Sequence, residues 1–152
     1  MVNKSQTGMQ GVYLVAAELT GLGFIVSVTS RNAFGADLLV TDQQCNNAWS
    51  VQVKTNYEPR TFWLLNRHAK EITSPTHIYV FVNLMGSDRP KFYFVRAEFV
   101  AKHTCVEETK SGTWYSFGIS DANSHLNSWK DVFGDPGPAP EPQHEPSEQN
   151  PN

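Results

Sequence analysis

The sequence predicts an α/β domain, a mixed β-sheet flanked by helices, and three observations predict it. Residues 9 to 22, MQGVYLVAAELTGL, repeat apolar side chains at helical spacing. Three short segments after it are rich in β-branched residues or alternate apolar with polar ones. The run THIYVFVNL at 76 to 84 is apolar almost without a break. These patterns describe an amphipathic helix, a set of half-buried strands, and one strand covered on both faces, which requires layers above and below the sheet.

In the first helix Val12, Val15, Ala16, Leu19 and Leu22 share one face, and Gly23 is a natural stop. FIVSVTS (24–30) is the first strand. Gly35 and Ala36 lead into ADLLVT, the second, and DQQCNN is a polar turn. AWSVQVKT (48–55) is the third strand, with Trp49, Val51 and Val53 on one face and Ser50, Gln52 and Lys54 on the other. FWLLNRHAKEI reads as a short extended piece followed by a helix from about Asn66. After the buried strand, GSDRP turns the chain, KFYFV is a strand and RAEFVAKHT a short helix. TWYSFGIS is a further strand, and SHLNSWKDVF a closing amphipathic helix. The core order is α-β-β-β-α-β, and no repeat period appears.

A chain of 152 residues forms one domain with a sizeable core. No apolar run reaches the roughly 18 residues that span a bilayer, and MVNKSQTGMQ lacks the apolar centre of a signal peptide. A cytoplasmic protein without membrane contact is therefore expected. Cys45 and Cys105 lie far apart without a CxxC or a histidine at ligand spacing, so two free thiols are expected rather than a zinc site or a disulfide. From Gly134 the chain runs GDPGPAPEPQHEPSEQNPN, with six of the nine prolines, four acids and no Lys or Arg. Such a segment buries too little surface to offset ordering, which predicts a domain at 1–133 and a disordered Pro- and acid-rich tail at 134–152. Without the tail, 11 acids face 12 Lys and Arg, so any basic surface is local and a protein gripping nucleic acid by overall charge is excluded.

Asp37 opens the second strand, and Gln52 and Lys54 close the third. If these strands pair around DQQCNN, the three side chains converge. A carboxylate and an amide oxygen suit a hard cation such as Mg²⁺. A neighbouring ammonium orients or deprotonates water, or stabilises charge on a phosphate. This is the chemistry of phosphodiester hydrolysis.

The pattern GxxLVAAELTxxGFxVS, then GADLLV, then VQVKT resembles the PD-(D/E)xK nuclease superfamily, which includes restriction enzymes and archaeal Holliday-junction resolvases. The resemblance covers roughly residues 9 to 84 and implies a restriction-endonuclease-like fold. Members carry an Asp at the start of the second strand and Glu-x-Lys in the third; here those positions are Asp37 and Gln52-Val53-Lys54, a QxK variant. The resemblance implies a Mg²⁺-dependent (or Mn²⁺-dependent) endonuclease acting on DNA, commonly as a homodimer. A Glu of the first helix often completes the metal site, and Glu18 is the acid this helix offers; the architecture also implies the backbone carbonyl of Val53, between Gln52 and Lys54, as a further ligand. Arg31, Asn32, Arg60 and Arg67, with His68 and Lys70, border the site and are candidates for holding phosphates.

Other readings stay open. Replacing Glu by Gln at position 52 removes one charge from the cation site, which fits a degenerate nuclease fold serving as a nucleic-acid or protein binding module. Each basic residue also fits scattered surface charge. Tyr57 and Trp63 can stack on bases, although FWLL at 62 to 65 reads more simply as core. His77 opens a buried strand and reads as structural, while His103 and His125 stand alone in the sequence. No GxSxG, GxxxxGK[ST] or GxGxxG motif is present, which removes the hydrolase elbow and the nucleotide-binding folds.

Overall fold

The computed structural model describes residues 3–30 and 34–142. Helix α1 (Lys4–Gly21) starts earlier than its apolar periodicity implies, because Asn3 and Gln6 form a capping box. Asn3 Oδ1 accepts from Gln6 N at 2.9 Å and Gln6 Oε1 accepts from Asn3 N at 3.0 Å, satisfying two donors that a helix start leaves unpaired. Val12, Val15 and Leu19 form the buried stripe.

Strands β1 (Ile25–Val28), β2 (Leu38–Thr41) and β3 (Ala48–Asn56) follow, then β4 (Phe62–Leu65), β5 (His77–Asn83) and β6 (Lys91–Arg96). Five of them form a mixed sheet in the order β1-β2-β3-β5-β6. Only the β3–β5 pair is parallel. All seven residues of β5 are buried, as its unbroken apolar run predicts. Ile78, Val80 and Val82 pack on the α1 side, and Tyr79 and Phe81 on the other. The second core lies under helix α2 (Ala97–His103) and a smaller sheet, β4-β8-β7, built with β7 (Cys105–Thr109) and β8 (Gly112–Gly118).

Several elements differ from expectation. The helix expected from Asn66 is a single 3₁₀ turn, Arg67–Lys70, started by Asn66 Oδ1 accepting from His68 N. Strand β7 was not expected; all five of its residues are exposed, so it carries no buried face to generate a pattern. An unexpected helix α3 (Ile119–Ala122) takes over where the strand TWYSFGIS was expected to end, and the closing helix expected over 124–133 is reduced to the end of a 3₁₀ turn at Asn123–His125 and the short α4 (Trp129–Phe133). Asn127 sits at φ 53° between the last two while its N–H bonds Phe92 O. A left-handed residue cannot continue a helix, and asparagine tolerates that conformation.

Among the described residues no helix is long and apolar enough to cross a membrane, and both cysteines are free and exposed. The first residues of the Pro-rich segment are held rather than loose. Gln43 N donates to Pro136 O at 2.8 Å and Gln44 Nε2 to Pro138 O at 3.0 Å, so donors of the β2–β3 turn meet these carbonyls. Residues 143–152 lie outside the described residues.

Candidate active site

The β2–β3 hairpin builds the site. Its turn is organised by Asp42, which accepts from Asn46 N at 2.8 Å, Asn47 N at 3.1 Å and Asn47 Nδ2 at 2.6 Å. The Asn47 amide and these backbone donors hold the Asp42 carboxyl below the ordinary range. The turn sets the register Leu38↔Val51 to Thr41↔Ala48, which brings Asp37 beside Gln52. Gly35, at φ 76°, delivers the chain into this position from a conformation that disfavours any side chain.

Asp37 is fixed from both sides. Its N–H donates to Val51 O at 2.8 Å, and its carbonyl accepts from Thr29 N at 3.0 Å. Gln52 Nε2 at 2.6 Å and Val53 N at 2.8 Å both donate to Asp37 Oδ2; neither of these bonds engages Oδ1. An ionised carboxylate only accepts, so the amide turns its nitrogen to Asp37 and keeps Oε1 for another partner. The N–H and C=O of one strand residue point to the same edge, which places the Val53 carbonyl on the Asp37 side.

Lys54 lies two residues beyond Gln52 on the same face, and both line a cavity of about 230 Å³ together with Asn66, His68 and Tyr79. Burial pushes the Lys54 ammonium below its ordinary pKa of 10.5, and the nearby Asp37 charge opposes that shift. Asp37, Gln52 and Lys54 are thus gathered, as the hairpin predicts.

Glu18 is not brought to this group. It pairs with Arg89 at 2.7 Å in a cleft with Pro90, Lys91 and Trp129. The α1 residues bordering Asp37 are Lys4, Ser5, Gly8, Met9 and Val12. Glu18 lies nine residues past Met9, about 13 Å along the axis at a rise of about 1.5 Å per residue. The sequence does not reveal this, because Glu18 finds its partner 71 residues downstream.

Arg31 and Asn32 lie outside the described residues. Arg60 is exposed and shares a cleft with Lys54. Arg67 is exposed in the 3₁₀ turn and is not among the residues lining the Gln52–Lys54 cavity, although Asn66 and His68 are. Lys70 is structural: Nζ donates to Ala101 O at 2.9 Å and Thr104 O at 3.3 Å, closing the end of α2. Trp63 is core, 1% exposed with its indole N–H on Val82 O. His77 is buried and bonded to Ser50 Oγ at 2.7 Å. His103 and His125 are not isolated; both rings contact Phe99. Sequence reasoning missed Lys4, which the early start of α1 brings toward Asp37; the Asn3–Gln6 capping signature was the signal for it.

Among the described residues no three His, Cys, Asp or Glu side chains form a metal-binding group. The donors here are instead one carboxylate, one amide oxygen and one backbone carbonyl, which fits a hard cation that takes its remaining ligands from phosphate and water.

No family model matches the chain, and no curated protein matches it in sequence. Among solved structures it is similar to the Holliday junction resolvase Hjc of the archaeal hyperthermophile Archaeoglobus fulgidus, at 13% identity and a TM-score of 0.52, over 84% of this chain and 96% of that one. The mixed five-stranded sheet flanked by helices is therefore the resolvase fold, of the restriction-endonuclease-like type.

Proposed function

We propose that the chain is a PD-(D/E)xK-type endonuclease in QxK form, hydrolysing DNA phosphodiester bonds with Mg²⁺ or Mn²⁺. The observation that carries this reading is the contact of Gln52 with Asp37 at 2.6 Å beside a half-buried Lys54, where the entry to β2 meets the middle of β3 in a resolvase-like fold. Asp37, Gln52 Oε1 and the Val53 carbonyl would hold the cation. A bound divalent ion neutralises phosphate charge and activates water. Lys54 would take the proton of the attacking water as general base, a role supported by the burial that lowers its pKa. Arg60 and Arg67 hold phosphates outside the reacting centre. Cutting both strands of a duplex needs two such sites, so the reading includes a homodimer.

The test is incubation with supercoiled, linear and branched DNA plus Mg²⁺ or Mn²⁺. Asp37→Ala and Lys54→Ala are each expected to lose about 10²- to 10⁴-fold in rate. A second reading, a binding module on the same fold, is favoured by the single carboxylate of the site. DNA binding without cleavage, unchanged in both variants, would establish the module and dismiss the nuclease.

A further inference from the structure

On the far side of Lys54 a second, larger cleft opens between the start of α1 and strand β4. Its volume is about 660 Å³, within the range of about 300–1,000 Å³ typical of small-ligand sites. Two cations line it, Lys4 and Arg60, together with the Lys54 amine, and no carboxylate does. Tyr57, Phe62 and Leu64 line it too, at 55%, 40% and 48% exposed. The period of two in β4 explains the last pair: Trp63 turns into the core, so Phe62 and Leu64 turn out. Folding therefore leaves apolar side chains, two of them aromatic, between two positive charges and the Lys54 amine, beside the candidate reacting centre.

The loop that presents Tyr57 and Arg60 is also pinned. Asn56 Nδ2 donates to Phe62 O at 2.9 Å and to Asn83 Oδ1 at 3.1 Å. The buried Asn83 in turn donates to Arg60 O at 3.4 Å. Both ends of the loop are thus held to the central strands before any ligand arrives, which lowers the ordering cost of binding.

We propose that this cleft is a subsite for an unpaired nucleotide, making DNA with a single-stranded segment the preferred substrate class. The inference rests on the nuclease reading of the neighbouring residues for its cleavage consequence. Cations recognise phosphates of any strand, but an aromatic face needs a base's π-face, which stacking hides inside a duplex. Tyr57 and Phe62 provide such faces, and Lys4 and Arg60 hold the phosphates flanking the base.

The test measures binding in EDTA by fluorescence anisotropy, using labelled oligothymidylate and a labelled blunt duplex of equal length. Wild type is expected to prefer the single strand. Tyr57→Ala and Phe62→Ala should each weaken single-strand binding by about five- to hundredfold, the loss of one stacked base, with little change on duplex. Tyr57→Phe should keep wild-type affinity. No single-strand preference, or alanine variants within about twofold of wild type, would overturn the subsite, since one stack is worth more than that. Tyr57 lies in a loop outside the core, so Tyr57→Ala decides the matter even if Phe62→Ala perturbs β4. The two readings fail separately. Metal-dependent cleavage of duplex and single strand alike removes the subsite and leaves the nuclease. Tyr57-dependent single-strand binding with no cleavage of any substrate removes the nuclease and leaves the subsite.

Discussion

Lys54 sits under two opposed influences: burial favours its neutral amine, and Asp37 favours its charge. Burial wins, so the amine is available below the ordinary pKa of 10.5. If Nζ is the base, kcat/KM rises with pH in Mg²⁺ and levels off below pH 10.5, and Lys54→Arg, which stays protonated, falls by about 10²- to 10⁴-fold. An arginine variant retaining near wild-type rates would instead make the group a fixed positive charge. His77 is the clearest stability sensor. Burial lowers its pKa below 6.5, so above that pH both folded and unfolded forms are neutral and no stability depends on it. As pH falls through 6.5 the unfolded chain binds the proton first, and stability is lost down to the folded pKa. Burial shifts His125 in the same direction. Thermal unfolding followed by circular dichroism should show Tm falling from about pH 7.5 to about pH 5.5, with a shallower fall in His77→Asn. At this scale the sequence was informative where chemistry and alternation coincide. Gln52 and Lys54 share a strand face by period of two, and Asp37 meets them through a turn whose polar residues are plain. Glu18 was misplaced because composition names an acid but not the cation, Arg89, that takes it.

Elements were legible in proportion to how one-sided their burial is. α1 shows its stripe, and β5 shows none because both its faces are covered. β7 has no covered face, and its pairing with β8 is a tertiary fact. The last helix failed for a local reason, since Asn127 takes a left-handed conformation in the middle of an otherwise amphipathic run. The contact between α1 and β3 is what places Lys4 near the site, and it depends on Gly11. Any Cβ there would overlap the side chain of Thr55, whose hydroxyl is buried without a hydrogen-bond partner. Gly11→Val must push the helix off the sheet or force Thr55 to move. Overpacking of this kind costs typically about 1–3 kcal/mol, so urea titration should lower the midpoint with m unchanged. Gly8, with open space beyond its Cα, gives the control: Gly8→Ala should hold or slightly raise stability by helix propensity.

Across the whole molecule the acids and cations nearly balance once the Pro-rich segment is set aside, so the proposed DNA binding would draw its electrostatics from where cations collect. Lys4, Lys54 and Arg60 share one cleft without a carboxylate. Two phosphate contacts, from Lys4 and Arg60, imply a plot of log affinity against log salt with a slope of about −1.4 for single strands and about −1.8 for duplex. A slope beyond about −6 would require a much broader basic surface than this chain displays. The acidic segment bears on the same balance through its charge. Its first residues dock on the β2–β3 turn through Pro136 and Pro138, but Glu141, Glu145 and Glu148 follow that attachment. A chain ending at residue 138 keeps both hydrogen bonds and removes three of the tail's four acids. Tm should therefore be unchanged while DNA affinity rises at low salt. The gain should vanish as the Debye length shrinks toward about 3 Å near 1 M salt. A drop in Tm would show that residues past 138 carry contacts of their own, and an unchanged affinity at low salt would place the tail's charge beyond reach of the cleft.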